Sequence, residues 1–242
     1  MIANNSHRFA AVLALSLLLP TAAISADDSL DAKQLVEQSR ITFERFLADP
    51  AMKPMNELLK QAKGVLIAPQ ILRGAFLLGA SGGSGVFLAR GKDGEGWSSP
   101  TFYTIGDVSF GLQIGGDSSE TVLVAMTDRG VSALLTDSMK LGANAGVAMG
   151  PVGVGAAAAT ENLSADILTY SRSKGAYAGL SFDGAVVATR AGLNAAYYGK
   201  PVSPSDVLLR HEATNSDATP LVDAVARAAG QGSGEAPAQS TD

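Results

Sequence analysis

Glycine is the feature that most limits what this chain can fold into. Of its 27 glycines, 24 lie between Gly64 and Gly199. That spread is too even for a flexible linker, and it lacks the three-residue period of collagen. Inside strands, glycine marks bends, bulges and places where another backbone comes close. The distribution therefore predicts a tightly bent β-sheet built from residues 64–199.

Length and composition point to one domain held together by packing alone. The chain has 242 residues, 46% of them hydrophobic, and no cysteine. That size and apolar content suit a single domain with a sizeable core. The absence of cysteine excludes disulfides, thiolate metal sites and cysteine nucleophiles. Apolar side chains must therefore supply the stability.

The first 26 residues have the organisation of a secretory signal peptide. His7 and Arg8 precede the apolar run Phe9–Leu19, and small residues between Pro20 and Ala26 follow it. A transmembrane helix needs about 20 apolar residues, roughly twice the length of this run. We therefore expect export to the periplasm or the medium, with cleavage after Ala26.

Two helices are predicted ahead of the glycine-rich region, within residues 29–63. The first begins with a polar cap at Asp28 or Ser29 and carries a broad apolar face. The second is short, has Pro54 in its first turn, and carries lysines at its C-terminal end, where the helix dipole favours cations. Gly64 is expected to end it in the left-handed conformation.

The glycine-rich region has the pattern of strands separated by turns. A buried run that starts at Gly64 leads through a glycine-dense bend at Gly79–Gly85 into a second apolar run, so the two should form an entry hairpin. The later candidate strands are Thr101–Ile105, Val108–Ile114, Thr121–Met126, two within residues 141–160, Ala165–Ser171, Ala176–Phe182 and Ala185–Thr189. The last three should form an antiparallel meander, because Asp183-Gly184 is a strong hairpin signal.

The expected fold is α+β and β-dominated. It is a glycine-rich, strongly twisted antiparallel sheet over residues 64–199, covered by the N-terminal helices. Glycine-punctuated strands of this kind suit a barrel and a sandwich equally, so the sequence leaves both open. The single domain is predicted to span residues 27–212. Residues 213–242 are mostly small and polar, which predicts a disordered tail.

The sequence offers little to a catalytic or metal site. After loss of the signal peptide one histidine remains, His211, so no histidine triad or zinc motif can be assembled. The segment Gly82–Gly85 lacks the Gly-Lys-Ser/Thr ending of a nucleotide-binding loop and runs into a strand, which favours a bend or bulge. We therefore expect no enzymatic activity, cofactor, nucleotide or metal.

Charge is the one positive indication of function. The formal charge is −5 and becomes −6 without Arg8, from 17 basic and 23 acidic residues, so nothing attracts nucleic acid in general. Residues 52–92 depart from this balance, because their one acid is Glu57. The cations of that segment are Lys53, Lys60, Lys63, Arg73, Arg90 and Lys92. The entrance to the core is therefore basic within an acidic protein.

A series of short motifs runs from Ala62 to Gly199 and covers nearly the whole predicted core. The motifs are Ala62-Lys63-Gly64-Val65, Pro69, Gly79–Val86, Arg90, Trp97-Ser98-Ser99-Pro100, Gly111–Gly115, Leu141-Gly142, Ala148–Gly153, Tyr170–Gly175, Gly179–Gly184 and Tyr197-Tyr198-Gly199. Each motif alone is weak, but the ordered set is specific and resembles the SYLF domain, also described as the Ysc-type actin-binding domain.

The resemblance implies binding rather than catalysis. Eukaryotic members bind phosphoinositide membranes through the basic N-terminal part of the domain, and some bind or bundle actin filaments. For an exported protein, the implied partner is an anionic lipid surface of the cell envelope. The residues implied for lipid headgroups are Lys53, Lys60, Lys63 and Arg73, and those implied for apolar membrane contact are Met55, Leu58 and Leu59.

A protein-interaction or assembly module of the envelope is the alternative. The edges of a bent sheet can pair with a strand of another chain. The filament binding of some family members is consistent with a surface of this kind.

The exported protein should begin at Asp27, because Ala26 closes a small-residue cleavage site after a short apolar run. N-terminal sequencing or the intact mass of periplasmic material measures this directly. Recovery of the chain in a membrane fraction with Met1 retained would contradict both the cleavage and the compartment.

Overall fold

The structure is a computed structural model that describes residues 26–76, 78–92, 96–110, 115–153, 164–173, 176–177 and 182–231. Residues 1–25 lie outside the described residues, so the signal peptide remains a prediction. The same holds for the second half of the predicted strand Val108–Ile114, for the second glycine-rich strand around residues 154–160 and for the chain beyond Gln231.

Helices precede, interrupt and follow the strands. Helix α1 spans Ala26–Ala48, and a 3₁₀ turn at Pro50–Met52 joins it to α2, Lys53–Leu59. The other helices are α3 (Asp128–Leu134), α4 (Ala191–Tyr198), α5 (Pro204–Leu208) and α6 (Thr219–Ala228), with a 3₁₀ turn at Ser216–Ala218 before α6. Within the described ranges, no helix is both long enough and apolar enough to cross a bilayer.

The strands of the described residues form a single curled sheet, a half-barrel. They are β1 (Gly64–Phe76), β2 (Leu78–Ala89), β3 (Thr101–Phe110), β4 (Gly115–Ala125), β5 (Ser138–Lys140), β6 (Val147–Met149), β7 (Ile167–Ser173), β8 (Ala176–Tyr177) and β9 (Val186–Thr189). The order is β5-β9-β3-β2-β1-β4-β7-β6, with β8 paired to β7. The α+β fold predicted from the sequence, with a twisted sheet and covering helices, is confirmed.

The centre of the sheet is buried on both faces. Along β1, Val65 and Ile67 join one apolar core, whereas Leu66 and Ala68 join another. The first core is closed by α1, α2, α4 and α6, and the second by α3, α5 and the segment 139–145. A sheet covered on both faces needs strands that are apolar throughout, which is why the central strands show apolar runs rather than alternation.

The glycine-dense segment Gly79–Gly85 is part of strand β2, so the predicted bend is wrong. The register of β1 against β2 shifts between Ile67 and Gln70, which is a bulge in β1. A Cβ atom at Gly83 would lie 2.1 Å from the Gln70 carbonyl oxygen, and one at Gly85 would lie 2.7 Å from the Ile67 oxygen. The glycines are required because the bulged strand comes too close for any side chain.

Gly64 is the first residue of β1 and does not end α2 in the left-handed conformation, contrary to the prediction. The φ angle of Gly64 is not positive. Its lack of a side chain matters for packing, because a Cβ atom there would lie 2.5 Å from Phe87 Cζ. Glycine is therefore needed at position 64 because Phe87 of β2 packs against it, and not because α2 ends there.

The predicted antiparallel meander is confirmed for its first pair, because β7 and β8 run antiparallel. Its last strand is placed differently: within the described residues, β9 pairs with β3 and β5. The sheet is also not wholly antiparallel, because β6 runs parallel to β7. The turn at Asp183-Gly184 is present, with φ of 93° at Gly184. Local turn signals indicate where the chain reverses, but the partner of each strand is decided by distant residues.

The predicted disordered tail is wrong for the part of it that the structure describes. Helix α6 buries Leu221, Ala224 and Val225 in the core shared with α1. These residues follow the i, i+3, i+4 spacing of an amphipathic helix, which the small-residue composition obscures. The folded domain therefore continues beyond residue 212.

Replacing Gly83 by alanine should destabilise the fold, because the new methyl group would overlap a backbone oxygen of β1. We expect a loss of about 1–3 kcal/mol in the free energy of unfolding. Gly74→Ala is the matched control, since no atom lies within 4 Å of the place its Cβ atom would occupy, and it should change stability by no more than about 1 kcal/mol. Urea unfolding measures both, and equal effects would contradict the bulge.

Candidate functional site

The predicted headgroup cations do not form one group. Lys60 and Lys63 lie between the end of α2 and the start of β1, and Lys53 is at the opposite end of α2. Arg73 is nine residues along β1 from Gly64, roughly 30 Å at about 3.3 Å per residue. The structure therefore brings Lys60 and Lys63 together and places Arg73 elsewhere.

Both lysines at the start of β1 have weak acidic partners. Lys60 Nζ lies 2.7 Å from a carboxylate oxygen of Glu57, and Lys63 Nζ lies 3.9 Å from Asp128 Oδ1. All four side chains are about half exposed or more. Exposed ion pairs contribute little, so these partners leave both lysines accessible to a ligand.

The predicted apolar membrane contact is wrong for Met55 and Leu59. Both are fully buried in the core that α2 shares with the sheet, and Leu58 packs partly buried against the same core. The family resemblance implied the membrane contact, whereas the spacing of these residues is the usual spacing of a core-facing stripe. Neither side chain can reach a lipid while α2 stays packed.

A cleft of about 910 Å³ opens beside Lys63, where β1 begins and β2 has ended. Among the described residues, its lining includes the cations Lys63, Arg90 and Lys92 and the apolar residues Val131, Leu135, Leu208 and Leu209. The polar residues Asp128, Ser132, His211 and Gln231 and the backbone of Gly91 also line it. We call this the basic cleft.

Arg90 holds the wall of the basic cleft to the end of α2. Its guanidinium donates hydrogen bonds to the carbonyl oxygens of Leu59, at 2.9 Å, and Lys60, at 3.0 Å. It also lies 5.2 Å from the centre of the Trp97 ring, a favourable cation–π distance. The carbonyls that a helix end leaves unpaired are thereby satisfied. Burial lowers the pKa of Arg90 from its usual value.

The C-terminal part of the chain contributes two residues that sequence reasoning missed. His211 has φ of 54°, in the left-handed region that non-glycine residues seldom occupy. The side-chain oxygen of Gln231 is buried without a hydrogen-bond partner. Gln231 lies within residues 213–242, which the sequence predicted to be a disordered tail, and His211 lies just before them. The helical spacing in α6 was the one signal that could have placed Gln231 near the core.

Helix α3 contributes Val131 and Ser132 to the lining of the basic cleft, and its first turn is positioned by the buried carboxylate of Asp166. Thr127 donates to Asp166 Oδ1 at 2.6 Å, and the Gly146 amide donates to Oδ2 at 2.8 Å. Thr127 in turn accepts from the Gly130 amide and so caps α3. The hydrogen bond from Thr127 chiefly lowers the pKa of Asp166, and the Gly146 amide and Arg129 act in the same direction.

The arrangement suits the recognition of an anion. Three cations, Lys63, Arg90 and Lys92, line one concave cleft together with apolar residues. No group of three or more potential metal-binding side chains occurs in the part of the chain that the structure describes.

Comparison with known proteins gives the family. Residues 106–228, half of the chain, match the Ysc84 family, described as Las17-binding protein actin regulator. The chain belongs to this family, and the resemblance seen in the sequence motifs is thereby confirmed.

Individual relatives are similar over most of the folded domain. SH3 domain-containing YSC84-like protein 1 of Homo sapiens is 33% identical over 160 residues, which cover 62% of this chain and 44% of the relative. LAS seventeen-binding protein 3 of Saccharomyces cerevisiae is 35% identical over 158 residues, 64% of this chain and 34% of the relative. Protein YSC84 of the same yeast is 32% identical over 182 residues, 73% and 38%. This chain spans less than half the length of these relatives.

Replacing Asp166 by asparagine should reduce the acid sensitivity of the fold. A carboxylate whose pKa is lowered on folding stabilises the protein above its unfolded pKa, about 3.9, and the stabilisation is lost as the pH falls through the folded pKa. Asp166→Asn should therefore be less stable than the wild type at pH 7, and the difference should shrink below about pH 4. Urea unfolding between these pH values measures it. A pH-independent difference would contradict the assignment.

Proposed function

We propose that this protein is a non-enzymatic module that binds anionic lipid headgroups at a membrane surface of the cell envelope. The observation that carries the proposal is the group of exposed cations at one end of the sheet, in a protein that is acidic overall. The lysines of this group are Lys60, Lys63 and Lys92. Arg90 is a fourth cation at this end, and Glu57 and Asp128 are the carboxylates nearest Lys60 and Lys63.

The physical basis of binding is electrostatic attraction over a short range. Each lysine near an anionic bilayer contributes on the order of 1 kcal/mol, and the attraction fades within a Debye length of roughly 8 Å at physiological salt. A few lysines on one surface suffice for reversible attachment. The net negative charge elsewhere favours an orientation with this end toward the membrane.

The apolar stripe of α2 does not take part in membrane attachment. Met55 and Leu59 are buried in the core, so they do not insert into the bilayer. Arg73 does not belong to the attaching group either, because it lies far along β1 from the lysines near the start of that strand. Leu209, which lines the basic cleft and is 47% exposed, is the apolar side chain proposed to contact the membrane instead.

Protein interaction is the second candidate, and two observations favour it. The family description names binding to Las17 and regulation of actin, which is said of the family. In addition, Leu72 in the outer half of β1 is a large apolar side chain that is 56% exposed. An envelope protein with an edge strand or flat apolar surface is the partner this would fit.

Reversing the charge of Lys60 and Lys63 should weaken binding to anionic vesicles by more than tenfold. Two reversals remove more than the roughly 1.4 kcal/mol that corresponds to a factor of ten. The matched control is Lys33→Glu with Lys140→Glu, which changes the net charge equally at positions outside the group. Co-sedimentation with phosphatidylglycerol-containing and neutral vesicles, at low and high salt, measures both variants.

The control should bind as the wild type does, and added salt should reproduce the effect of the Lys60/Lys63 variant. An equal loss of vesicle binding in both double variants would show that the overall net charge, and not the position of Lys60 and Lys63, determines binding. Undiminished binding by the Lys60/Lys63 variant, or a preference of the wild type for neutral vesicles, would reject the lipid proposal and favour the protein-interaction candidate.

A further inference from the structure

We propose that residues 232–242, which we call the acidic segment, dock in the basic cleft of their own chain and compete there with an anionic membrane. The competition rests on the proposed function. The docking does not, because it requires only the acidic segment and the basic cleft.

The chain arrives at the basic cleft where α6 ends. Gly230 has φ of 73°, and its amide donates to the Arg227 carbonyl at 3.1 Å. The Gln231 amide donates to the Ala226 carbonyl at 2.9 Å. A left-handed glycine with these two hydrogen bonds is a Schellman motif. It fixes the direction in which the chain leaves α6, and Gln231 itself lines the basic cleft.

The acidic segment is therefore attached at the place where it is proposed to dock. An extended chain covers at most about 3.6 Å per residue. Glu235 thus lies within about 14 Å of Gln231, and Asp242 within about 40 Å. Both carboxylates can reach the cleft while α6 stays packed in the core.

The charges of the acidic segment and of the basic cleft are opposite. The acidic segment contains two acids, Glu235 and Asp242, and neither lysine nor arginine. The described lining of the cleft contains three cations against one acid, Asp128. Attraction between exposed charges fades within roughly 8 Å at physiological salt. An acidic segment attached at the cleft is therefore drawn to these cations more than to charges elsewhere on the protein.

The folded domain leaves these cations available to a carboxylate. Lys63 Nζ lies 3.9 Å from an oxygen of Asp128, whose side chain is 89% exposed, and such exposed pairs contribute little. The Arg90 guanidinium donates to the carbonyl oxygens of Leu59 and Lys60, which carry no formal charge. A carboxylate of the acidic segment is thus a better partner for either cation.

Size and attachment also favour the acidic segment as the occupant. Apart from its acids and Gln239, it consists of glycine, serine, threonine, alanine and proline, which are small. The cleft volume of about 910 Å³ is in the range of roughly 300–1,000 Å³ that admits drug-sized ligands, so several such residues fit. A short tether gives an effective concentration of about millimolar, at which weak contacts suffice for occupation.

An occupied cleft withholds Lys63 and Lys92 from a membrane. Anionic lipid has to displace the acidic segment before both lysines attach. Weakly charged membranes are therefore bound less well than they would be by the same protein without the two carboxylates of the acidic segment.

The docking is tested by NMR with a nitroxide on Ser240→Cys in the complete exported chain. The chain has no native cysteine, so the label is unique. At low salt we expect the nitroxide to broaden the amide resonances of Lys63 and Lys92. Neutralising the acidic segment by Glu235→Gln with Asp242→Asn, or adding salt, should remove most of the broadening.

Asp28→Asn with Asp31→Asn is the matched control, because it changes the net charge equally at exposed positions of α1 outside the described lining. It should leave the broadening as it is in the labelled wild type. The same broadening with and without the carboxylates of the acidic segment would reflect attachment alone and overturn the docking. No broadening at Lys63 and Lys92 would overturn it as well.

Co-sedimentation of the unlabelled chains with phosphatidylglycerol-containing vesicles tests the competition. Glu235→Gln with Asp242→Asn should bind roughly threefold or more tightly than the wild type, as expected for the loss of one or two exposed ion pairs. The control variant should bind as the wild type does. Vesicle binding that the carboxylates of the acidic segment do not affect would overturn the competition alone. Carboxylate-dependent broadening in a protein that binds no vesicles would reject the proposed function and keep the docked segment.

Discussion

The pairing of β1 with β2 across a bulge is the constraint on which the rest of the structure depends. Strand β1 is the central strand, hydrogen-bonded to β2 on one side and β4 on the other, and its register shifts against both near Pro69. Proline cannot donate to a ladder, so a bulge is where a sheet tolerates it. Gly83 and Gly85 make room for that bulge, and both apolar cores use the side chains of β1 on either side of it.

The same strand pair sets up the basic cleft. Where β1 begins and β2 ends, the Lys63 amide donates to the Ala125 carbonyl, and the Arg90 amide donates to the Lys63 carbonyl. The Arg90 side chain then reaches back to the end of α2. Lys63 and Arg90 are therefore attached to paired backbone at the end of the sheet, whereas the apolar residues of the cleft come from α3, from α5 and from the residue that follows each of these helices.

The family match and the basic cleft involve different parts of the chain. The match covers residues 106–228, which include α3, α5 and the apolar residues of the cleft. Lys63, Arg90 and Lys92 lie before that range. The proposed site thus combines the region that matches the family with the basic entrance segment that precedes it. A lipid role for this protein has to be tested on residues from both.

Composition and local patterns by themselves determined the class of fold, the two N-terminal helices and most strands, because apolar runs, caps and glycine turns are local properties. They also located the excess of positive charge in residues 52–92. Tertiary structure alone decided that β9 lies beside β3 and that β6 runs parallel to β7. It also decided which cations are neighbours: Lys63, Arg90 and Lys92 line one cleft, whereas Arg73 lies far along an extended strand. Such placements depend on register and packing between residues far apart in the chain, and no local pattern encodes them.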